Sequence, residues 1–201
     1  MDDSLHLPGL PFPLRWRLMP ERWRVGKDAS LSISAGARTD LFVDPRGTGP
    51  SLGAPRLLGS ASGDFQLAAR VTVDFADTFD AGVLLVYAHD SAWAKLCFER
   101  SPQGESMVVS VVTRGLSDDA NAFPVEGRTV WLRTSRVGPA WAFHASMDGT
   151  LWQLVRYFAL EPADNMEVGF LAQSPMGAGC TAVFDRITYR SERLPDLRDG
   201  A

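Results

Sequence analysis

The stretch from Asp80 to Glu99, DAGVLLVYAHDSAWAKLCFE, constrains this chain more than any other. It reads as two strands joined by a short turn. In the first, Val83, Leu85 and Tyr87 face one way and Leu84, Val86 and Ala88 the other, so both rows are apolar. A strand covered on both faces belongs in the middle of a sheet, with a core on one side and something else on the other. The second strand puts Ala94, Leu96 and Phe98 on one face and Trp93, Lys95, Cys97 and Glu99 on the other. The latter row, an indole beside opposite charges, suits a lined groove as well as a solvated surface.

The same period of two recurs along the chain. Phe65–Phe75 alternates cleanly, and strands are predicted at 31–35, 106–114, 130–136, 140–147, 151–158, 167–173 and 181–189. Asp148-Gly149 is the strongest hairpin signal, a pair suited to the positive φ of a tight turn. Residues 39–63, rich in Gly, Pro and Ser, form the longest irregular region, with strand-like patches at 41–43 and 56–58; a loop of that length in a compact domain is usually functional or poorly ordered. LSDDANAFP, after Arg114, reads as a polar loop. Ten to twelve short strands and no amphipathic helix predict an all-β, two-sheet antiparallel jelly-roll sandwich in one domain over 15–190. A loose arm at 1–14 that docks on the domain and a frayed tail at 191–201 would flank it.

Composition narrows the partners. A net charge of −4 over 201 residues supplies no field for phosphate backbones or anionic lipid, so neither nucleic acid nor membrane is expected. No apolar run approaches the length of a membrane span, and the acidic, proline-broken start MDDSLHLPGLPFPL lacks the pattern of a secretion signal, which gives a cytoplasmic expectation. In that compartment Cys97 and Cys180 are expected as buried free thiols; pairing would need neighbouring strands to bring them together.

Several motifs in order carry a family resemblance: Trp16 and Trp23 in the entry segment, TDLF at Thr39–Phe42, GDF at Gly63–Phe65, the Asp80–Glu99 pair, VWLR at Val130–Arg133, SMDGTLW at Ser146–Trp152, and VGFLAQSP at Val168–Pro175. Together they resemble the DUF1349 family, related to the yeast regulation-of-enolase protein and placed in the concanavalin A-like lectin/glucanase superfamily. The resemblance covers roughly residues 15–190 and implies a two-sheet jelly roll with one concave sheet. It implies little about activity, because that superfamily holds lectins, glycosidases and silent scaffolds. One departure stands out: where the family tends to be polar after the TDLF-type motif, this chain has SLGAPRLL.

The chemistry available is limited. Glycosidases of that superfamily take paired carboxylates from one strand, as Glu-x-Asp-x-x-Glu or Glu-x-Asp-x-Glu, and no such string occurs here. Asp74, Asp77 and Asp80 are spaced for a loop, read as a solvated turn with a calcium site as the alternative. His6, His89 and His144 lie far apart and the cysteines form no CxxC, so no metal and no cofactor are expected. GSASG at 59–63 has alanine where a nucleophilic serine would stand. SMDGTLW resembles the Asp-box hairpin of sialidases, one residue shorter, where the box is structural; Asp148 would bond the turn and Trp152 would close it.

What remains is a polar row. If Leu96, Leu132 and Phe143 point into the core, the opposite faces carry Trp93, Lys95 and Glu99, then Trp131 and Arg133, then His144 and Ser146, with Arg114 and Gln173 at bordering strand ends. Aromatic rings beside Lys, Arg, Glu and His are what sugar hydroxyls need. The bland alternative is a solvated sheet face. The expectation is therefore a non-catalytic module binding a carbohydrate or related polar small molecule along one groove formed by Trp93, Lys95, Glu99, Arg114, Arg133 and His144. The rivals are a protein-interaction module with a protein partner and, less compatible with the carboxylate pattern, an unrecognised glycosidase.

Overall fold

The structure, a computed structural model, describes residues 4–160, 166–198 and 200. Among them there is no helix, and sixteen strands are formed. They are β1 (Arg15–Leu18), β2 (Arg22–Val25), β3 (Leu31–Gly36), β4 (Phe42–Val43), β5 (Pro50–Ser51), β6 (Arg56–Ser60), β7 (Phe65–Val73) and β8 (Ala81–His89). There follow β9 (Ala92–Arg100), β10 (Ser106–Arg114), β11 (Leu116–Val125), β12 (Thr129–Val137), β13 (Ala140–Ser146), β14 (Gln153–Ala159), β15 (Glu167–Gln173) and β16 (Gly179–Arg190). Two seven-stranded antiparallel sheets face each other, the first in the order β1-β6-β15-β8-β9-β10-β11 and the second in the order β14-β13-β12-β7-β16-β3-β2. The two-sheet antiparallel sandwich expected from the alternation is the fold.

Alternation decides which side chains meet between the sheets. Leu84, Val86, Leu96, Phe98, Val108 and Phe170 from the first sheet pack on Leu67, Val71, Leu132, Phe143 and Phe184 from the second, all fully buried. Gly82 marks a close approach: a Cβ there would lie 2.7 Å from Val71 Cγ1. Burying apolar area of this kind stabilises by roughly 25 cal/mol per Å². As its two apolar rows required, β8 lies inside its sheet between β15 and β9.

The polar segment LSDDANAFP is not a loop. It pairs with β10 as the edge strand β11, from Ser106↔Val125 to Arg114↔Leu116, with a register irregularity near Val108. Its residues are polar because an edge strand with one outward face has little apolar surface to bury, and Pro124 and the acidic side chains suit an edge that must not pair further. Further strands beyond the expected number come from the entry segment, where β1 joins the first sheet and β2 the second, and from the two-residue pair β4–β5.

Both flanking segments lie against the sandwich in their described parts. Leu5 and Leu14 exchange backbone hydrogen bonds at 2.8 Å each, and Leu7 and Leu14 are buried in the core. Beyond β16, Leu194 is buried, and the carbonyls of Leu197 and Gly200 accept hydrogen bonds from side chains of the second sheet. Leu7 and Leu14 anchor the arm, and buried Leu194 docks the described part of the tail, where fraying is the expectation.

Candidate functional site

The irregular region expected between residues 39 and 63 folds across the outer face of the first sheet. Leu41 and Ala54 from this region are buried with Leu58, Val83, Leu85, Trp93, Cys97, Val109, Val111 and Leu171, and Phe42, Val43 and Leu52 pack on them. This second apolar layer is the cover that the two-sided apolar character of β8 demanded. The blandness of SLGAPRLL has the same cause, since its Leu52, Ala54 and Leu58 belong to that layer.

The cover is incomplete at one end, leaving a cavity of about 130 Å³ lined by Asp40, Phe42, Phe79, Lys95, Glu99, Val111, Asp119, Gln173 and Pro175. Register brings these residues together. Lys95 lies opposite Leu85 on one side and Val111 on the other, and Val111 lies opposite Asp119. Gln173 pairs with Ala81, which pairs with Glu99, so Gln173 and Glu99 share one row of the same face, two rows along from Lys95.

Lys95 is only 2% exposed. Its Nζ donates to Gln173 Oε1 at 2.9 Å and lies 3.6 Å from Asp40 Oδ1. It also sits over the rings of Phe42 and Trp93, 5.9 and 5.6 Å from their centroids. A buried ammonium needs such a set of partners to offset its lost hydration. Gln173 is oriented from its other end, where Nε2 donates to the Phe79 carbonyl at 3.3 Å. Phe79 holds φ 67°, a left-handed conformation unusual for a bulky side chain. It is kept there by Asp80, fully buried, whose Oδ2 accepts the amides of Ala76 and Asp77 and whose Oδ1 accepts the Ser174 hydroxyl.

Burial pushes Glu99 up to about 8, with the nearby Lys95 partly offsetting it and Asp119 and Asp40 adding to the rise. Asp119 is also raised, again through burial first. At neutral pH the pocket therefore offers a protonated carboxyl and an ammonium as donors, carboxylate and amide oxygens as acceptors, and two phenyl rings as walls. Among the described residues no three His, Cys, Asp or Glu gather as metal ligands. Of the aspartates weighed as a calcium site, Asp74 bonds Arg128 at 2.6 Å and the oxygens of Asp80 are taken by protein donors.

The single groove expected from the sequence does not form. Trp93, Lys95 and Glu99 share one face of β9, but Arg133 on β12 and His144 on β13 belong to the other sheet, on its outer face. Alternation reveals which residues share a face of one strand; it does not say which sheet a strand joins. With Leu96 and Leu132 both pointing inward, the two polar rows point away from each other. Trp93 is fully buried in the outer apolar layer, so its ring is not offered for stacking. Arg114, exposed at the end of β10, donates from Nε to the Ala159 carbonyl at 3.1 Å, tying the two sheets at one edge of the sandwich away from the pocket. Lys95 and Glu99 are thus the expected residues that line it, joined by Gln173, which the reading placed at a bordering strand end.

Asp40, Phe42, Phe79 and Asp119 were not picked out. Asp40 and Phe42 lie in the TDLF motif that opens the longest irregular region, and that was the available signal. The loop-like composition of its edge strand hides Asp119.

Arg133 and His144 pair across β12 and β13. Arg133 stacks on Trp152, 4.3 Å from the ring centroid, and burial lowers it to about 10, with Arg190 adding to the drop. Burial lowers His144 to about 4, partly offset by its hydrogen bond to Leu197 and reinforced by Arg133. The neighbouring turn is built as the Asp-box reading expects. Asp148 Oδ1 accepts the amides of Thr150 and Leu151 at 2.8 and 2.9 Å and the Ser146 hydroxyl at 3.0 Å. Trp152 is half-buried beneath the guanidinium.

A family model described as a protein of unknown function, DUF1349, matches residues 16–192. No curated protein matches by sequence. Among solved structures, a functionally unknown protein from Saccharomyces cerevisiae superposes with a TM-score of 0.81 at 23% identity, over 89% of this chain and 96% of that one. A mutant of the GH43 protein BlXynB from Bacillus licheniformis gives 0.69 at 14% identity, over 89% of this chain but 37% of the other. An alginate lyase from Klebsiella pneumoniae gives 0.56 at 12% identity, over 84% of this chain and 83% of the lyase. At these identities the likeness is one of fold.

Proposed function

The chain belongs to the DUF1349 family, and from that premise we propose that the pocket on the outer face of its first sheet is a non-catalytic binding site for a carbohydrate or related polyhydroxylated small molecule. The observation that carries this reading is Lys95: a buried ammonium, held by Gln173 and Asp40, at the wall of a cavity that also presents Glu99 and Asp119. Donors and acceptors alternating around an apolar-walled space match vicinal hydroxyls on an apolar ring. The three carboxyl groups gather about one lysine, which favours holding a ligand over the separated acid and base of glycoside cleavage. Structures sharing the fold include proteins named as a xylan beta-1,4-xylosidase and an alginate lyase, which makes a sugar the first ligand class to try. The protein-interaction reading is weakened by residues 41–54, which already cover the apolar part of this face.

A thermal-shift screen of neutral mono- and disaccharides tests the proposal. A ligand at one hundred times its Kd adds about 2.7 kcal/mol to stability, a clear rise in Tm. The expected result is a rise with at least one sugar that disappears in Lys95→Met. A shift that persists in Lys95→Met, or no shift with any sugar, would count against it.

A further inference from the structure

Arg133, on the outer face of the second sheet, is a buried cation whose acceptors among the described residues are neutral. Its side chain is 6% exposed, its Nη1 donates to Gln66 Oε1 at 3.3 Å, and its Nη2 donates to the Gly200 carbonyl. Its buried Nε has no partner among the described residues. Such a cation is expensive unless a negative charge reaches it.

The chain shows elsewhere what that edge of a guanidinium takes. Arg17 donates from Nε and Nη2 to the two oxygens of Glu167 at 2.9 and 2.7 Å, and Arg70 does the same to Asp185 at 2.7 and 2.7 Å. On Arg133 the identical Nε–Nη2 edge is half-filled, by one carbonyl where a carboxylate would satisfy both donors. Beside it lies a cavity of about 210 Å³ lined by Gln66, Trp131, Arg133, Trp152, Thr188 and Arg190. Arg190 brings a second cation to its wall, and its contact with Glu192 is a loose one at 3.7 Å between exposed side chains.

The occupant of that edge is seated tightly. Gly200 has φ +73°, and a Cβ there would lie 2.6 Å from Trp152 Cβ and 2.7 Å from Arg133 Nη2. Only glycine fits. The segment leading to it is held by buried Leu194 and by His144 Nε2, 2.9 Å from the Leu197 carbonyl. We propose that this face carries a second binding site, for a small molecule bearing a carboxylate, and that residues 194–198 and Gly200 lie over it as a strap that the ligand displaces. The carboxylate takes the Nε–Nη2 edge of Arg133, Arg190 adds long-range attraction, and Gln66 and Thr188 remain for polar groups on the ligand.

Isothermal titration of the full chain tests this, with D-glucuronate and N-acetylglycine as carboxylate probes from two sources and D-glucose as the neutral counterpart. Gly200→Val, which cannot be seated, lifts the strap without shortening the chain. At least one carboxylate is expected to bind Gly200→Val tenfold or more tighter than wild type, and the stronger arm identifies the source. Glucose should not share the gain. Adding Arg133→Met should abolish the binding; should that variant fail to fold, Arg133→Lys keeps the charge, loses the fork, and should bind tenfold or more weaker. Equal affinity in wild type and Gly200→Val, an equal gain for glucose, no binding of either carboxylate, or undiminished binding after Arg133→Lys would overturn the proposal. Lys95→Met should leave this binding unchanged, so the outcome is independent of the first-sheet pocket.

Discussion

Replacing Lys95 by methionine separates holding a ligand from holding the fold. The end of the Lys95 side chain sits over the rings of Phe42 and Trp93, and a thioether of similar length removes a desolvated charge at the same time as its bond to Gln173. Stability from urea unfolding is expected to stay within about 1.5 kcal/mol of wild type, as for volume-conserving core changes, while any sugar-induced shift is lost. Glu99 gives a pH signature. An unfolded glutamate ionises near 4.5, whereas the folded protein holds this proton up to about 8. Between those values the folded state binds more protons, so this group lowers stability as pH rises through the window, and the effect levels off above it. Tm measured from pH 5 to 9 should therefore fall less in Glu99→Gln than in wild type. His144 acts with the opposite sign. Its folded value near 4 lies below 6.5, so its contribution is lost as pH falls from 6.5 towards 4. Its ring resonances should report a neutral imidazole at pH 5.5.

The covering segment is the element on which the pocket depends. Leu41 is fully buried against Leu85, Trp93 and Val111, and Asp40 and Phe42 beside it form the pocket wall. Leu41→Ala is expected to cost about 2–5 kcal/mol in unfolding experiments, as for other fully buried leucines. A cost under about 1 kcal/mol would mean the segment does not pack as a second layer. Elements of this protein were legible in unequal measure. β7, β8, β9 and the β13–β14 hairpin announce themselves by alternation and by Asp148-Gly149, because each has one face on a core. β11 was not legible, since an edge strand with polar outer residues carries the composition of a loop. The cover was visible only indirectly, in the two apolar rows of Val83–Ala88, because its own residues show no period that could say where they dock. Trp93 looked available for stacking for the same reason: nothing local to it reveals that Leu41 and Ala54, distant in sequence, share its buried cluster.

At the scale of the molecule, the sandwich presents two outer faces with different chemistry. One holds a lysine ringed by acidic side chains under a partial apolar cover; the other holds arginines and tryptophans under the segment that follows β16. The sequence suggested both groups but merged them, because sheet membership is set by long-range pairing that no local pattern encodes. Their separation rests on the close packing of the sheets. At Gly82→Val the new methyls would run into Val71, Val73 and Ala182 across the interface, for an expected loss of about 1–3 kcal/mol or more. The most direct test of the binding account is to map, by amide and side-chain NMR, the residues perturbed when a sugar from the thermal screen is titrated into the labelled protein. The expected perturbations centre on Asp40, Phe42, Lys95, Asp119 and Gln173, and vanish in Lys95→Met. Perturbations centred instead on Trp131, Arg133 and Trp152, or none at saturating sugar, would contradict it.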